Sequence, residues 1–195
     1  MTDEEAFDRV GDNPSSTIGP ERGAMSSADR LRRRVLWKMP SGLYVLGSRA
    51  GARRNLMTLN WASQVAIEPK LVAVSVQISA VTHELVAAGK VFALSILKRE
   101  DRAVVRRFVK PVDISEIDVD DAGVGTMRQV EVRSDVTGAP VLAGAAAWID
   151  CTVTEAIPLG SHSLFIGEVV GFGFGEGGEE AAVLRIEDTR MSYGG

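Results

Sequence analysis

The stretch from Arg54 to His83, RNLMTLNWASQVAIEPKLVAVSVQISAVTH, holds the residues whose types and spacing could do chemistry. Small polar side chains, Thr58, Asn60 and Ser63, punctuate a strand-like run. Glu68-Pro69 makes a corner, an apolar run follows, and Ser79-Ala80-Val81-Thr82 opens a helix. A helix start presents unpaired N–H groups and the positive end of the dipole, which favours an anion such as a phosphate. Ser and Thr also cap helices, and the plain cap is the commoner use. Of the two histidines, His83 falls in the first turn of that helix and His162 heads a later strand, where an imidazole satisfied by backbone is the ordinary role. The single cysteine, Cys151, lies in a hydrophobic run with no basic neighbour and reads as an inert buried thiol. Arg53 and Arg54, and the Arg102, Arg106, Arg107 and Lys110 face, could meet a phosphate but read most simply as solvated cations.

Composition narrows the classes. The chain has 195 residues, 45% of them hydrophobic and 25% charged, with a formal net charge of −4. That length suits one domain with a short tail: 1–26 as a flexible tail and 27–195 as the domain. A slightly acidic balance argues against nucleic acid or an anionic membrane as partner, because both reward a concentrated positive face. No apolar run approaches the roughly 18 residues that span a bilayer. One cysteine excludes an intrachain disulfide and a multi-cysteine metal site, two histidines exclude a His-rich one, and a reducing cytoplasm fits best. No metal is expected.

The elements that must position these residues are mostly strands. A short helix is expected over Arg30–Lys38, capped within Ser26-Ser27-Ala28-Asp29 and ended by Met39-Pro40. Strands follow over Gly42–Ser48, over Asn55–Ile67 and over Leu71–Val76, the last buried on both faces. Thr82–Ala88 is expected to be helical, with Ser79 or Thr82 as cap and Gly89 as stop. Val91–Leu97 is another buried strand, and Lys98–Lys110 an amphipathic helix. An acidic loop spans Asp113–Asp121, and a hairpin turns at Thr137-Gly138-Ala139-Pro140. Strands are expected over Ala145–Glu155 and Ser163–Val170, then a mobile glycine loop at Gly171–Gly178 and a run at Val183–Ile186. No helix follows that loop, so it is no phosphate cradle. Many strands, few helices and no βαβ rhythm give a mainly β (β+α) class, an antiparallel barrel with peripheral helices.

Taken together, these segments resemble the flavin reductase-like family of FMN-binding split barrels. The resemblance is carried by Asn55-Leu56-Met57-Thr58-Leu59-Asn60-Trp61-Ala62-Ser63 through Glu68-Pro69-Lys70-Leu71-Val72, and by Thr82-His83-Glu84-Leu85 and Phe92–Leu97. Further matches are Gly138–Leu142 with Trp148–Cys151, and Gly160-Ser161-His162-Ser163 with the strand after it. It runs in order over roughly residues 30 to 193. Lys70 stands where the family has a second proline, and Ser161 where it has an aspartate before the histidine.

The resemblance implies a split antiparallel β-barrel of FMN-binding type, a homodimer with flavin near the subunit interface, and an NAD(P)H:flavin oxidoreductase that can supply a partner monooxygenase. The alternatives are an FMN-holding carrier serving an electron-acceptor protein, and a non-enzymatic flavin-binding or flavin-sensing protein. FMN or FAD would be held by Met57, Thr58, Leu59, Asn60, Trp61, Ser63, Gln64, Gln77, Ser79, Thr82 and His83. His162 would position the nicotinamide of NADH or NADPH. Donors around Thr58–Ser63 would meet the pyrimidine edge and stabilise the charge that develops on reduction, and the Ser79–Thr82 turn would take the phosphate. Trp61 would wall the ring, with Trp37 and Trp148 in core or interface, and Tyr193-Gly194-Gly195 resembles tails that reach the flavin pocket.

Overall fold

The computed structural model describes residues 26–175 and 177–189; the expected tail over 1–26, Ser26 apart, and Tyr193-Gly194-Gly195 lie outside the described residues. The chain divides into two units, with the break at Pro40/Ser41. In the first, α1 spans Ser27–Leu36, and the Asp29 N–H donates to the Ser26 hydroxyl at 3.0 Å, the expected capping group. The Arg33 guanidinium sits 5.7 Å over the Trp37 ring where the helix ends.

In the second unit, strands β1 (Tyr44–Ala50), β2 (Arg53–Leu59), β3 (Ala62–Ala66), β4 (Leu71–Gln77), β5 (Val91–Ile96), β10 (Ala147–Leu159) and β11 (His162–Phe174) form one seven-stranded antiparallel sheet. Its order is β2-β1-β5-β10-β11-β4-β3, so the two edge strands are joined directly through Asn60-Trp61 and the sheet curls into a split barrel. A smaller antiparallel sheet of β6 (Ile117–Val119), β7 (Gly125–Met127), β8 (Val130–Ser134) and β9 (Pro140–Leu142) packs beside it. The strand period of two explains the division of the core. Along β1, Val45 joins a cluster with Phe108, Met127 and Val132, whereas Leu46 joins Val74, Phe92, Phe165 and Val86 inside the barrel. The inner cluster is closed by α2 (Val81–Gly89), and the outer one by α3 (Arg102–Arg107).

Two glycines allow this packing. A Cβ on Gly47 would lie 1.8 Å from the Pro140 carbonyl oxygen, and one on Gly89 1.8 Å from that of Arg49. Gly89 is therefore the last helical residue, and Lys90 takes the left-handed cap at φ 57°.

Several boundaries differ from expectation. The run from Asn55 breaks at Asn60-Trp61, where the chain crosses between sheet edges. The helix expected over 98–110 shrinks to α3, because Lys98 bridges Val183 and the Arg99 N–H donates to Ala182 O at 2.8 Å. The 183–186 run is correspondingly reduced to isolated bridges and a 3-10 turn, Ile186–Asp188. The acidic segment is partly ordered: Asp113 and Glu116 form a capping box ahead of β6. Gly171–Phe174 continue β11 rather than forming a loop, and Gly173 lies flat against Trp148, 2.9 Å from where its Cβ would be. No described helix is long and apolar enough to cross a membrane.

Candidate functional site

The register of β11 on β4 sets the site. His162 pairs with Gln77, the Ile78 N–H donates to Ser161 O at 3.0 Å, and the Ser75 N–H donates to Trp61 O at 3.0 Å. These bonds bring the crossing between sheet edges, the end of β4 and the start of β11 to one rim. The Trp61 and His162 rings lie 5.0 Å apart, tilted by 56°. Ser161 Oγ holds His162 Nδ1 at 2.9 Å, whereas the buried Nε2 has no partner in the protein. Burial lowers the His162 pKa, so the imidazole is neutral at pH 7. A buried ring nitrogen with nothing to bond is costly unless a ligand satisfies it.

On the same rim, Gln77 and Ser79 are exposed. The helix start differs from expectation, because neither Ser79 nor Thr82 caps it. Ala80 is the N-cap and no side chain accepts a bond there, so the first-turn N–H groups have no capping oxygen. Glu84 in that turn is ion-paired with Arg53 at 2.5 Å, which lowers the Glu84 pKa and raises that of Arg53. His83 Nε2 lies 2.8 Å from Ser163 Oγ with its ring 5.2 Å from that of Phe165, and burial lowers its pKa too.

The candidate residues separate into two sets. Trp61, Ser63, Gln64, Gln77, Ser79, His83 and His162 lie at least partly open to solvent. Leu59, Asn60 and Thr82 are buried, and the half-buried Met57 and Thr58 are engaged by the protein itself. Leu59 and Met57 pack into the barrel core, and Asn60 is buried. The Thr58 hydroxyl donates to Val105 O at 2.5 Å and its N–H to Phe108 O at 2.9 Å, so both of its donors serve α3 and the residue after it. The fully buried Thr82 hydroxyl accepts from Asn55 Nδ2 at 2.8 Å. Thr58 therefore serves the docking of α3 and Thr82 the first turn of α2.

Asn55, which the candidate set omits, is the bridging residue. Its signal in the sequence is its place: it shares the inward face of β2 with Met57 and Leu59, where a polar side chain must find a partner. Arg107 is exposed, as expected of a solvated face, and also donates to Arg128 O at 2.7 Å, while Arg128 in turn reaches the carbonyls of Lys110 and Pro111. Trp148 is buried under the Arg133 guanidinium. Cys151 is fully buried, and desolvation pushes its thiol pKa up to about 12.

Ser63 and Gln64 also edge an apolar pocket of about 450 Å³ walled by Tyr44, Leu94, Ile149, Val169 and Phe172, with Lys70 at its rim. Small-molecule sites are of this size and lining, with a few polar groups to fix orientation. The residues fit a flavin: an aromatic wall at Trp61, polar groups beside an apolar pocket, and open helix N–H groups for a phosphate. Among the described residues no three His, Cys, Asp or Glu side chains converge as metal ligands.

Residues 36–192 match the flavin reductase like domain. The chain belongs to the flavin reductase-like family. This flavin reductase-like chain is 30% identical over 160 residues to the NADH-dependent FAD reductase of Streptomyces globisporus, covering 80% of the chain and 82% of that protein. It is 27% identical to the high molecular weight rubredoxin of Moorella thermoacetica and spans 63% of that relative's length. Among solved structures, the Streptomyces globisporus NADH:FAD oxidoreductase superposes with a TM-score of 0.70 at 25% identity, covering 90% of this chain and 98% of that one. The styrene monooxygenase flavin reductase of Pseudomonas putida superposes with a TM-score of 0.60 at 26% identity, covering 73% and 86%.

Proposed function

We propose that this protein is an NAD(P)H:flavin oxidoreductase of the two-component kind, which reduces FMN or FAD and releases it to a separate monooxygenase. Kinship with the NADH-dependent FAD reductase makes NADH the expected donor, with NADPH as the competitor. The structural observation that supports the reading is the rim where Trp61 and the Ser161-held His162 meet 5.0 Å apart.

A bound flavin supplies an acceptor for the nicotinamide hydride and passes the electrons on. The chain's own residues position and shield. Trp61 offers an aromatic wall, Ser63, Gln64 and Gln77 offer polar groups, and Ser79 with the open N–H groups of α2 seats the phosphate. His162, neutral and held by Ser161, stands at the rim beside Trp61 where the nicotinamide would be positioned. No proton need be exchanged with the protein, so positioning does most of the work.

The same reading makes the protein a homodimer in the cytoplasm. It is supported by exposed apolar side chains such as Phe172, 76% exposed, and Ile67, 80% exposed, which a second copy would cover. Steady-state NADH and NADPH oxidation with free FMN, FAD or riboflavin tests the reaction, and light scattering tests the dimer. Turnover requiring added flavin is expected. Oxidation of neither nucleotide, with flavin still bound, would move the assignment to a carrier or sensor.

A further inference from the structure

We propose that Asn55 is a positioning residue that sets the geometry of the flavin-phosphate seat without touching the ligand; this rests on the flavin reading above.

The Asn55 side chain, only 2% exposed, makes two bonds at once. The Val112 N–H donates to its Oδ1 at 2.9 Å, and its Nδ2 donates to the Thr82 hydroxyl at 2.8 Å. The orientation of the amide follows from chemistry, because a backbone N–H can only donate and so must face the oxygen. One side chain thus ties together β2, the segment after α3 and the first turn of α2. The far ends are fixed independently. Thr58 anchors Val105 and Phe108 to β2, and Arg128 holds the carbonyls of Lys110 and Pro111.

The first turn of α2 is also held where His83 Nε2 meets Ser163 Oγ at 2.8 Å and where the Ala80 N–H donates to Gln77 O at 3.0 Å. Its N-cap, Ala80, has no side chain to hold it, and the neighbouring Arg53–Glu84 pair is solvent-exposed on both sides and contributes little. Among these restraints the Asn55–Thr82 bond is the fully buried one, and it ties the turn to β2, so it helps to set where the N–H groups of Val81, Thr82 and His83 point. Pre-set donors bind an anion without the cost of ordering them at the moment of binding. Loss of the bond leaves Thr82 in place by packing but frees the turn to tilt.

The test compares FMN with riboflavin, which lacks the phosphate, by fluorescence-quenching titration of the full chain. In Asn55→Ala and in the isosteric Thr82→Val, Kd for FMN is expected to rise about tenfold and Kd for riboflavin less than about twofold. Thr82→Ser, which keeps the hydroxyl, is expected to restore the wild-type FMN-to-riboflavin ratio. If Asn55→Ala does not fold, Thr82→Val carries the test, since its volume is unchanged. Parallel weakening of both ligands, or no weakening of either, would overturn the proposal and leave Asn55 a stability element. Failure of the wild-type chain to bind either flavin would instead strike the functional reading on which the proposal rests.

Discussion

Trp61 and His162 lie with ring centres 5.0 Å apart, although one sits at the crossing between the edge strands and the other heads β11. The contact exists because β3, β4 and β11 pair in a fixed register, so a single-residue slip in either pairing would move one ring to the opposite face. The rim is thus a property of the sheet, and its aromatic groups come preassembled.

From this follows the expected behaviour of His162→Ala. KM for NADH should rise about tenfold or more, the loss of one oriented hydrogen bond and a ring contact, with Kd for flavin changed less than about twofold. Steady-state kinetics beside a flavin titration separates the two. Unchanged NADH kinetics would remove His162 from the nicotinamide site.

The two histidines also set an acid limit. Burial lowers the pKa of both His83 and His162, so the unfolded chain binds more protons than the folded one near and below pH 6.5. Their contribution is present above that value and is lost as pH falls. Melting temperature should decline from pH 7 to pH 5.5, whereas carboxylates lowered by their partners, such as Glu84 and Asp188, act only at lower pH. A melting temperature that rises over that interval would contradict the assignment.

Asp150 should prove structural. It is fully buried in β10 and accepts from the Thr137 N–H at 2.8 Å and the Thr137 hydroxyl at 2.5 Å, pinning the β8–β9 turn. Asp150→Ala strands both donors and is expected to cost about 2–3 kcal/mol in urea unfolding, with kinetic constants for NADH little altered. A cost below about 0.5 kcal/mol would show that the turn holds without it.

Cys151 should be silent in the native state. With its thiol pKa pushed up to about 12 and no exposed surface, it is expected to resist Ellman's reagent at pH 8 and to react fully once the chain is unfolded. Stoichiometric native labelling would mean that the barrel opens locally around β10.

Much of this was legible in the residues. Alternating and apolar runs mark the strands, and the order of short motifs points to the split barrel. What the pattern could not convey was direction. Thr58, Ser63 and Thr82 are all small hydroxyl residues of the same polar-punctuated stretch, yet two are spent on internal bonds and Ser63 alone of the three reaches the pocket. For Thr58 the outcome depends on where α3 docks, and the segment after α3 is held by Arg128 from the β7–β8 turn of the smaller sheet, a contact that no local spacing encodes. The Ala80 cap was missed for the opposite reason. Local capping preference favours Ser79 or Thr82, but the Thr82 hydroxyl is spent on the buried bond from Asn55 and Ser79 makes no cap bond.

The most direct test of the central claim is the visible spectrum of many equivalents of free FMN or FAD per protein under anaerobic conditions, before and after NADH. Bleaching of the whole flavin pool at a catalytic rate is the result expected of a reductase with diffusible flavin. Bleaching of one equivalent, or none, would contradict it.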